Sequence, residues 1–269
     1  MARTARSEVF DPLEIAVAHV IQRCVRRCFL MGNDPHSGKN YDHRKQWLED
    51  RLQRFAAHFG IDLLCFSILS NHFHLVLRSR PDVVATWDDG EVARRWLMIC
   101  PVRKDQHENP REPTEAELNQ IRNDPQRLAT IRRRLSDISW WMRLLSQPLA
   151  AMANREEDQL GRFWQGRFRA VRICDEAALL ACAAYVDLNP IRAALAETLE
   201  ESDYSSIQRR IESLPHNGTP AEPTGDQFLS PIEIDEKRDA IGTVASNSQH
   251  RASDKGFLPM SQIEYIQLL

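Results

Sequence analysis

The clearest patterning in the chain runs from Ile61 to Arg80, where two apolar, β-branched-rich stretches, IDLLCFSIL and HFHLVL, meet at Ser70-Asn71. Each has the length of a strand and the Ser-Asn pair is turn chemistry, so the segment predicts a β-hairpin. Side chains two apart on a strand share a face. His72 and His74 therefore stand together while Phe73 points the other way. Upstream, Ala16 to Met31 reads as strand, alternating over His19 to Arg23, with a second apolar run at Cys28 to Met31 and a Gly-Asn-Asp-Pro turn at 32–35. Trp47, Leu48, Leu52, Phe55 and Phe59 recur at three- and four-residue steps. They predict a helix that Asp42 caps, that reaches about His58 and that Gly60 ends.

After the hairpin the text changes. Residues 81–137 carry prolines at 101, 110, 113 and 125, dense mixed charge and short helical patterns at Glu91 to Met98 and Glu115 to Ile121. They read as an insertion on the domain rather than part of its core. Arg132-Arg133-Arg134 within it reads either as a solvated helix face or as a nucleic-acid contact. Ile138, Trp141, Leu144, Leu145, Leu149 and Met152 then mark an amphipathic helix. Gly161 to Ile173 alternates well enough to be a last strand. Asp175 opens an alanine-rich helix with acidic residues in its first turn. Asn189-Pro190 interrupts it, and Asn189 stands where it can cap a second helix, Pro190 to Leu199.

A chain of 269 residues is one large domain or a domain with appendages. With 42% hydrophobic and 27% charged residues it has the composition of a soluble globular protein. No run approaches the roughly 20 apolar residues of a membrane span, and the N-terminal residues lack the apolar stretch of a signal peptide. The expectation is a cytoplasmic protein with no membrane partner. Most of the six cysteines lie in apolar runs, as reduced buried thiols do, and Cys24 and Cys28 lack the second pair a zinc site needs. The net charge of -3 hides a gradient: residues 1–210 carry 31 Lys+Arg against 29 Asp+Glu, and residues 211–269 carry 4 against 9.

Within the body, Gly161 to Ile173 holds Arg162, Arg167, Arg169 and Arg172 with no acid, interleaved with Phe163, Trp164 and Phe168. Guanidinium groups suit phosphate oxygens and flat rings suit unpaired bases; a solvated surface strand is the plainer reading. His72 and His74 are half a metal site, since neutral imidazole is the commonest protein metal ligand, or else a half-exposed polar pair. The carboxamide oxygen of Asn189 offers a third ligand. Tyr185 precedes Asn189 by one helical turn and shares its face if helical geometry persists. A hydroxyl nucleophile beside a divalent metal and an arginine-lined aromatic groove is equipment for attacking a phosphodiester.

These residues resemble a known family. Asn71-His72-Phe73-His74-Leu75, Gly161-Arg162-Phe163-Trp164-Gln165-Gly166-Arg167-Phe168 and Tyr185-Val186-Asp187-Leu188-Asn189-Pro190-Ile191-Arg192 look like the signature blocks of REP-associated tyrosine transposases, in the HUH single-tyrosine superfamily. His19 to Arg23 fits that family's first strand, and the resemblance spans about residues 13–210 apart from the insertion. It implies an α+β, ferredoxin-like fold, with an antiparallel sheet and helices on one face, in agreement with the strand-helix-strand-strand-helix-strand order above. It implies Tyr185 as nucleophile, His72, His74 and Asn189 as ligands of Mg²⁺ or Mn²⁺, and Arg23 and Arg192 beside the basic-aromatic segment as DNA contacts.

The implied activity is cleavage of single-stranded DNA next to a repeat hairpin through a 5'-phosphotyrosine bond, followed by rejoining, in a monomer or homodimer. Two positions depart from the pattern: Ser70 stands where the family has Pro, and Ala194 where it has Gly. A domesticated hairpin-binding protein and a metal-dependent hydrolase that uses water are the competing readings. Residues 1–210 are read as the catalytic domain and 211–269 as an acidic linker and helical tail. The tail is expected to be loose to about Lys255, with a start of helix near Ile263 that either marks a truncation or packs back on the domain.

Overall fold

The computed structural model describes residues 11, 13–25, 29–34, 38–214, 225–239 and 242–269. Its centre is a four-stranded antiparallel sheet of β1 (Val17–Arg23), β2 (Ile61–Ile68), β3 (His72–Ser79) and β4 (Arg169–Ile173), in the order β2-β3-β1-β4. The hairpin forms as its pattern demands, with the Leu69 N–H closing the turn on the His72 carbonyl at 2.9 Å. β3 is an interior strand, paired with β2 on one side and β1 on the other. The histidine pair therefore opens a central strand. α1 (His43–His58) links β1 to β2, and α6 (Ile138–Glu156) precedes β4. This split βαβ arrangement is the ferredoxin-like topology.

Alternation dictates which side chains meet these helices. Ala18 and Val20 of β1, Phe66 and Ile68 of β2, and Phe73, Leu75 and Leu77 of β3 all face one core. Leu48, Leu52 and Phe55 of α1 and Trp141, Leu145 and Leu149 of α6 close over them. Asp42 does not cap α1 with its side chain; its carboxylate accepts instead from the Gly32 N–H at 2.9 Å and from the Asn40 amide. Gly60 follows the helix for lack of room rather than for a left-handed turn, because a Cβ there would lie 2.1 Å from Val84 Cγ2. Of the apolar run at Cys28 to Met31, Cys28 lies outside the described residues; Leu30 is buried in this core without being in a strand.

Residues 81–137 are not an appendage. They form α2 (Pro81–Thr86), α3 (Asp89–Ile99), α4 (Glu115–Arg122) and α5 (Pro125–Arg134), and Val84, Val92, Leu97, Ile121, Leu128 and Ile131 join the main core. Of the prolines at 101, 110, 113 and 125, the last starts a helix, as Pro81 does, where a missing N–H costs nothing; the other three lie in the connection between α3 and α4. This packing also encloses His58. Burial first, then Arg95, Arg94 and Arg54, push its imidazole from 6.5 down to about 3. The unfolded chain then binds the proton more readily, so stability is complete above pH 6.5 and is lost as pH falls toward 3. Urea titrations at pH 7 and pH 5 should differ by about 2 kcal/mol from this group, and His58→Gln should remove that part of the difference.

The other face of the sheet is covered as well. α7 (Glu176–Asp187) crosses it, and Leu179, Ala183 and Val186 pack on Leu64, Cys65 and Val76. α8 (Asn189–Arg192) is a single turn rather than the longer helix expected, and its first residue is Asn189, with Leu188 in the capping position. It ends at Ala194, whose φ of +54° is left-handed. A side chain there is strained, which explains the glycine expected at this position. Ala194→Gly should raise stability by about 0.5–1 kcal/mol in urea unfolding; unchanged or lower stability would refute the strain.

α9 (Ser206–Glu212) and α10 (Gln262–Leu268) complete this layer, with Ile207, Phe257, Leu258 and Tyr265 in its core. The described tail residues before Lys255 are not loose. Phe228 and Leu229 enter the main core, and Ser230 N–H donates to the Leu63 carbonyl at 3.0 Å. Buried Asp62 accepts from Arg78 at 2.8 Å, Arg80 at 3.2 Å and Ser253 at 2.8 Å. The same arginines donate to the carbonyls of Thr243, Lys255 and Gly256. Among the described residues no helix is long and apolar enough to cross a membrane. Cys65, Cys100, Cys174 and Cys182 are free thiols.

Candidate functional site

Phe73 turns into the main core, so His72 and His74 project from the opposite face, beneath α7. Their rings lie 5.0 Å apart. The helix begins at Asp175, whose side chain accepts from the Ala178 N–H at 2.7 Å, and it buries Ala183 and Val186 on the sheet. That leaves Tyr185 at the margin of the contact, 38% exposed, with its ring 5.6 Å from His74 and 6.0 Å from His19. Arg192 from the next turn sits 5.3 Å over the same ring. A cavity of about 430 Å³ opens here, lined by His72, His74 and Tyr185 together with Arg23, Arg167 and Arg169.

His19 is the residue the sequence reading passed over. It lies on β1 two residues from Ile21, which pairs with His74, and its Nε2 is 2.9 Å from His74 Nδ1. His72 Nδ1 donates to the Asn71 side-chain oxygen at 2.8 Å. Both Nδ1 atoms are thus engaged, while His74 Nε2 is buried with no hydrogen-bond partner. When His74 Nδ1 donates to His19, both Nε2 atoms carry lone pairs, the arrangement of metal-ligating imidazoles whose second nitrogen is held. Burial, with Arg23 adding, lowers His72 to about 4; burial, with the neighbouring histidines and Arg23, lowers His74 to about 3. Burial lowers His19 too. All three are neutral at pH 7, as ligands must be.

Among the described residues no three His, Cys, Asp or Glu side chains converge as a ligand set. The chain offers two imidazole nitrogens. Asn189 is buried one turn beyond Tyr185; it does not line the cavity, and its Nδ2 has no partner.

The basic-aromatic segment divides. Only 169–173 is strand, and Arg162, Arg167, Arg169 and Arg172 are exposed. Arg172 reaches Glu14 at 3.4 Å, whereas Arg23, Arg167 and Arg169 pair with no carboxylate among the described residues. Phe163 and Phe168 are buried in the main core, and Trp164 is half-buried, its indole N–H donating to the Ser146 carbonyl at 2.8 Å. The Phe163 ring faces the protein, while Trp164 and Phe168 also border a cavity beside α6. Of the arginine triplet in α5, Arg132 is structural, donating to the carbonyls of Val84 and Trp87, and Arg133 is exposed.

No family model and no curated protein matches the chain by sequence. Among solved structures, a REP-associated tyrosine transposase bound to a REP hairpin aligns at a TM-score of 0.42 with 11% identity, covering 77% of this chain and 90% of that one. At that distance in sequence, function has to be read from the side chains at the site.

Proposed function

We propose that the protein is a single-stranded-DNA strand transferase that cuts beside a hairpin with Tyr185 as its nucleophile. The observation that carries this reading is the half-exposed phenol stacked edge-on at 5.6 Å from His74, on the wall of a cavity that also holds Arg23, Arg167 and Arg169. The arginines bind the phosphates on either side of the scissile bond. The phenol oxygen attacks phosphorus, the bond from phosphorus to the 3' oxygen breaks, and the phenolic proton ends on that oxygen. The products are a 5'-phosphotyrosine and a free 3'-hydroxyl, and the reverse attack by such a hydroxyl rejoins strands. The phosphodiester energy is kept in the covalent link, so no nucleotide cofactor is consumed.

His72 and His74 would hold a divalent cation, Mg²⁺ or Mn²⁺, through their Nε2 atoms. The side-chain oxygen of Asn189, one turn beyond Tyr185, is the candidate third ligand, one that would have to turn toward the cavity it does not line here, and water would fill the remaining positions. Such an ion supplies Lewis-acid polarisation of the scissile phosphate. His19 keeps His74 in the tautomer that leaves its Nε2 open.

The test is incubation of the full chain with a hairpin-bearing single-stranded oligonucleotide and Mn²⁺ or Mg²⁺, resolved on a denaturing gel. A protein–DNA adduct that chelator prevents supports the proposal. Tight hairpin binding with no adduct, indifferent to chelator, would mark a binding protein, and cleavage without adduct a hydrolase.

A further inference from the structure

A second cavity, of about 440 Å³, adjoins the first and shares Gly166 and Arg167 with it. Its far wall is α6, which contributes Trp140, Arg143 and Gln147; Trp164 and Phe168 form part of the near side. None of its lining residues is acidic. Arg143 is exposed, 4.8 Å over the Trp140 ring, and among the described residues its one hydrogen bond is a long one of 3.5 Å to Gln147. Arg134, at the end of the arginine triplet, lies 3.9 Å over the same ring, so the basic, aromatic wall continues onto α5. The two cavities meet at Gly166, where a Cβ would find nothing within 4 Å, and Arg167 lines both.

We infer that this second cavity binds single-stranded DNA running from the scissile site, with phosphates on Arg143 and Arg167 and a base against the Trp140 side. The inference deepens the proposed function and rests on it for the position of the strand. Charge and continuity favour this occupant. A strand with a phosphate at Tyr185 that leaves past Gly166 stays on guanidinium groups and flat rings, the combination that holds unpaired nucleotides without reading their sequence. A duplex is too broad for a pocket walled by one helix and one loop. A protein segment would find arginines there with no backbone edge to pair with.

The experiment is a fluorescence-anisotropy titration of the full chain with a labelled hairpin. The hairpin is offered alone, with a short single-stranded extension on its 5' or its 3' side, and with that extension annealed to its complement. One single-stranded extension should tighten binding about tenfold, with a steeper salt dependence than the bare hairpin gives, and annealing should abolish the gain. Arg143→Glu, a change at an exposed position, should erase the gain while the bare hairpin binds as before; Trp140→Ala should reduce it. Two results would overturn the inference: no gain from either extension, or a gain that survives Arg143→Glu or annealing. An adduct at Tyr185 with an Arg143-independent gain removes only the second cavity from the account. An Arg143-dependent gain without any adduct removes only the cutting reaction.

Discussion

Tyr185→Phe should eliminate the covalent adduct, by on the order of 10⁴-fold or more as expected for loss of a nucleophile, while hairpin affinity stays within about twofold. The substitution deletes one oxygen that makes no hydrogen bond among the described residues, and it keeps the ring in contact with His19, His74 and Arg192. Fold stability should therefore change by less than about 0.5 kcal/mol. The other tyrosines are poor substitutes. Tyr41 and Tyr265 are buried, Tyr265 with its hydroxyl on Asp187 at 2.7 Å, and the Tyr204 hydroxyl donates to Gln46. An adduct undiminished in the Phe variant would mean that the nucleophile lies elsewhere, and the proposed reaction would fall with it.

The second large effect concerns the fold. Asp62→Ala should cost about 3–5 kcal/mol in urea unfolding, because it strands the buried guanidinium group of Arg78 without a carboxylate among the described residues and leaves Arg80 with Asp82 alone. Arg80 is fully buried and Arg78 nearly so, and Asp62 is the one carboxylate they share. Ser253→Ala, which removes a neutral hydroxyl from the same carboxylate, should cost only about 1 kcal/mol. Equal losses in the two variants would show that the charge contributes little.

The parts of this molecule that could be read from its sequence are those that local pattern determines. A two-residue period put His72 and His74 on one face and Phe73 on the other, whatever the rest of the fold. One helical turn related Tyr185 to Asn189. What escaped depends on tertiary neighbours. His19 reads as an ordinary residue of an alternating strand, and only the pairing of Ile21 with His74 brings it to the site. The aromatic rings at 163 and 168 look available to bases on composition, yet they fill the core because the segment around them folds in as loop rather than strand. The mixed charge of 81–137 does lie toward solvent, as in the pairs Arg103 with Glu117 and Arg132 with Asp89, but apolar residues spaced among it, such as Val92 and Ile131, fill the core. Asp187, between Tyr185 and Asn189, gave no sign that it would be buried under hydroxyls of Ser206 and Tyr265, where burial raises its carboxyl.

The outer strand β2 takes its remaining partners from far downstream: Ser205 bridges Ser67, Ser206 accepts from the Phe66 N–H, and Leu229 and Ser230 meet Leu63. During synthesis a largely apolar hairpin must wait, unpaired along one margin, until more than a hundred further residues have left the ribosome. An uncovered margin of that kind recruits other chains. Shortened versions lacking residues 225–269 should therefore collect as insoluble aggregate even though every residue of the proposed reaction centre is still present.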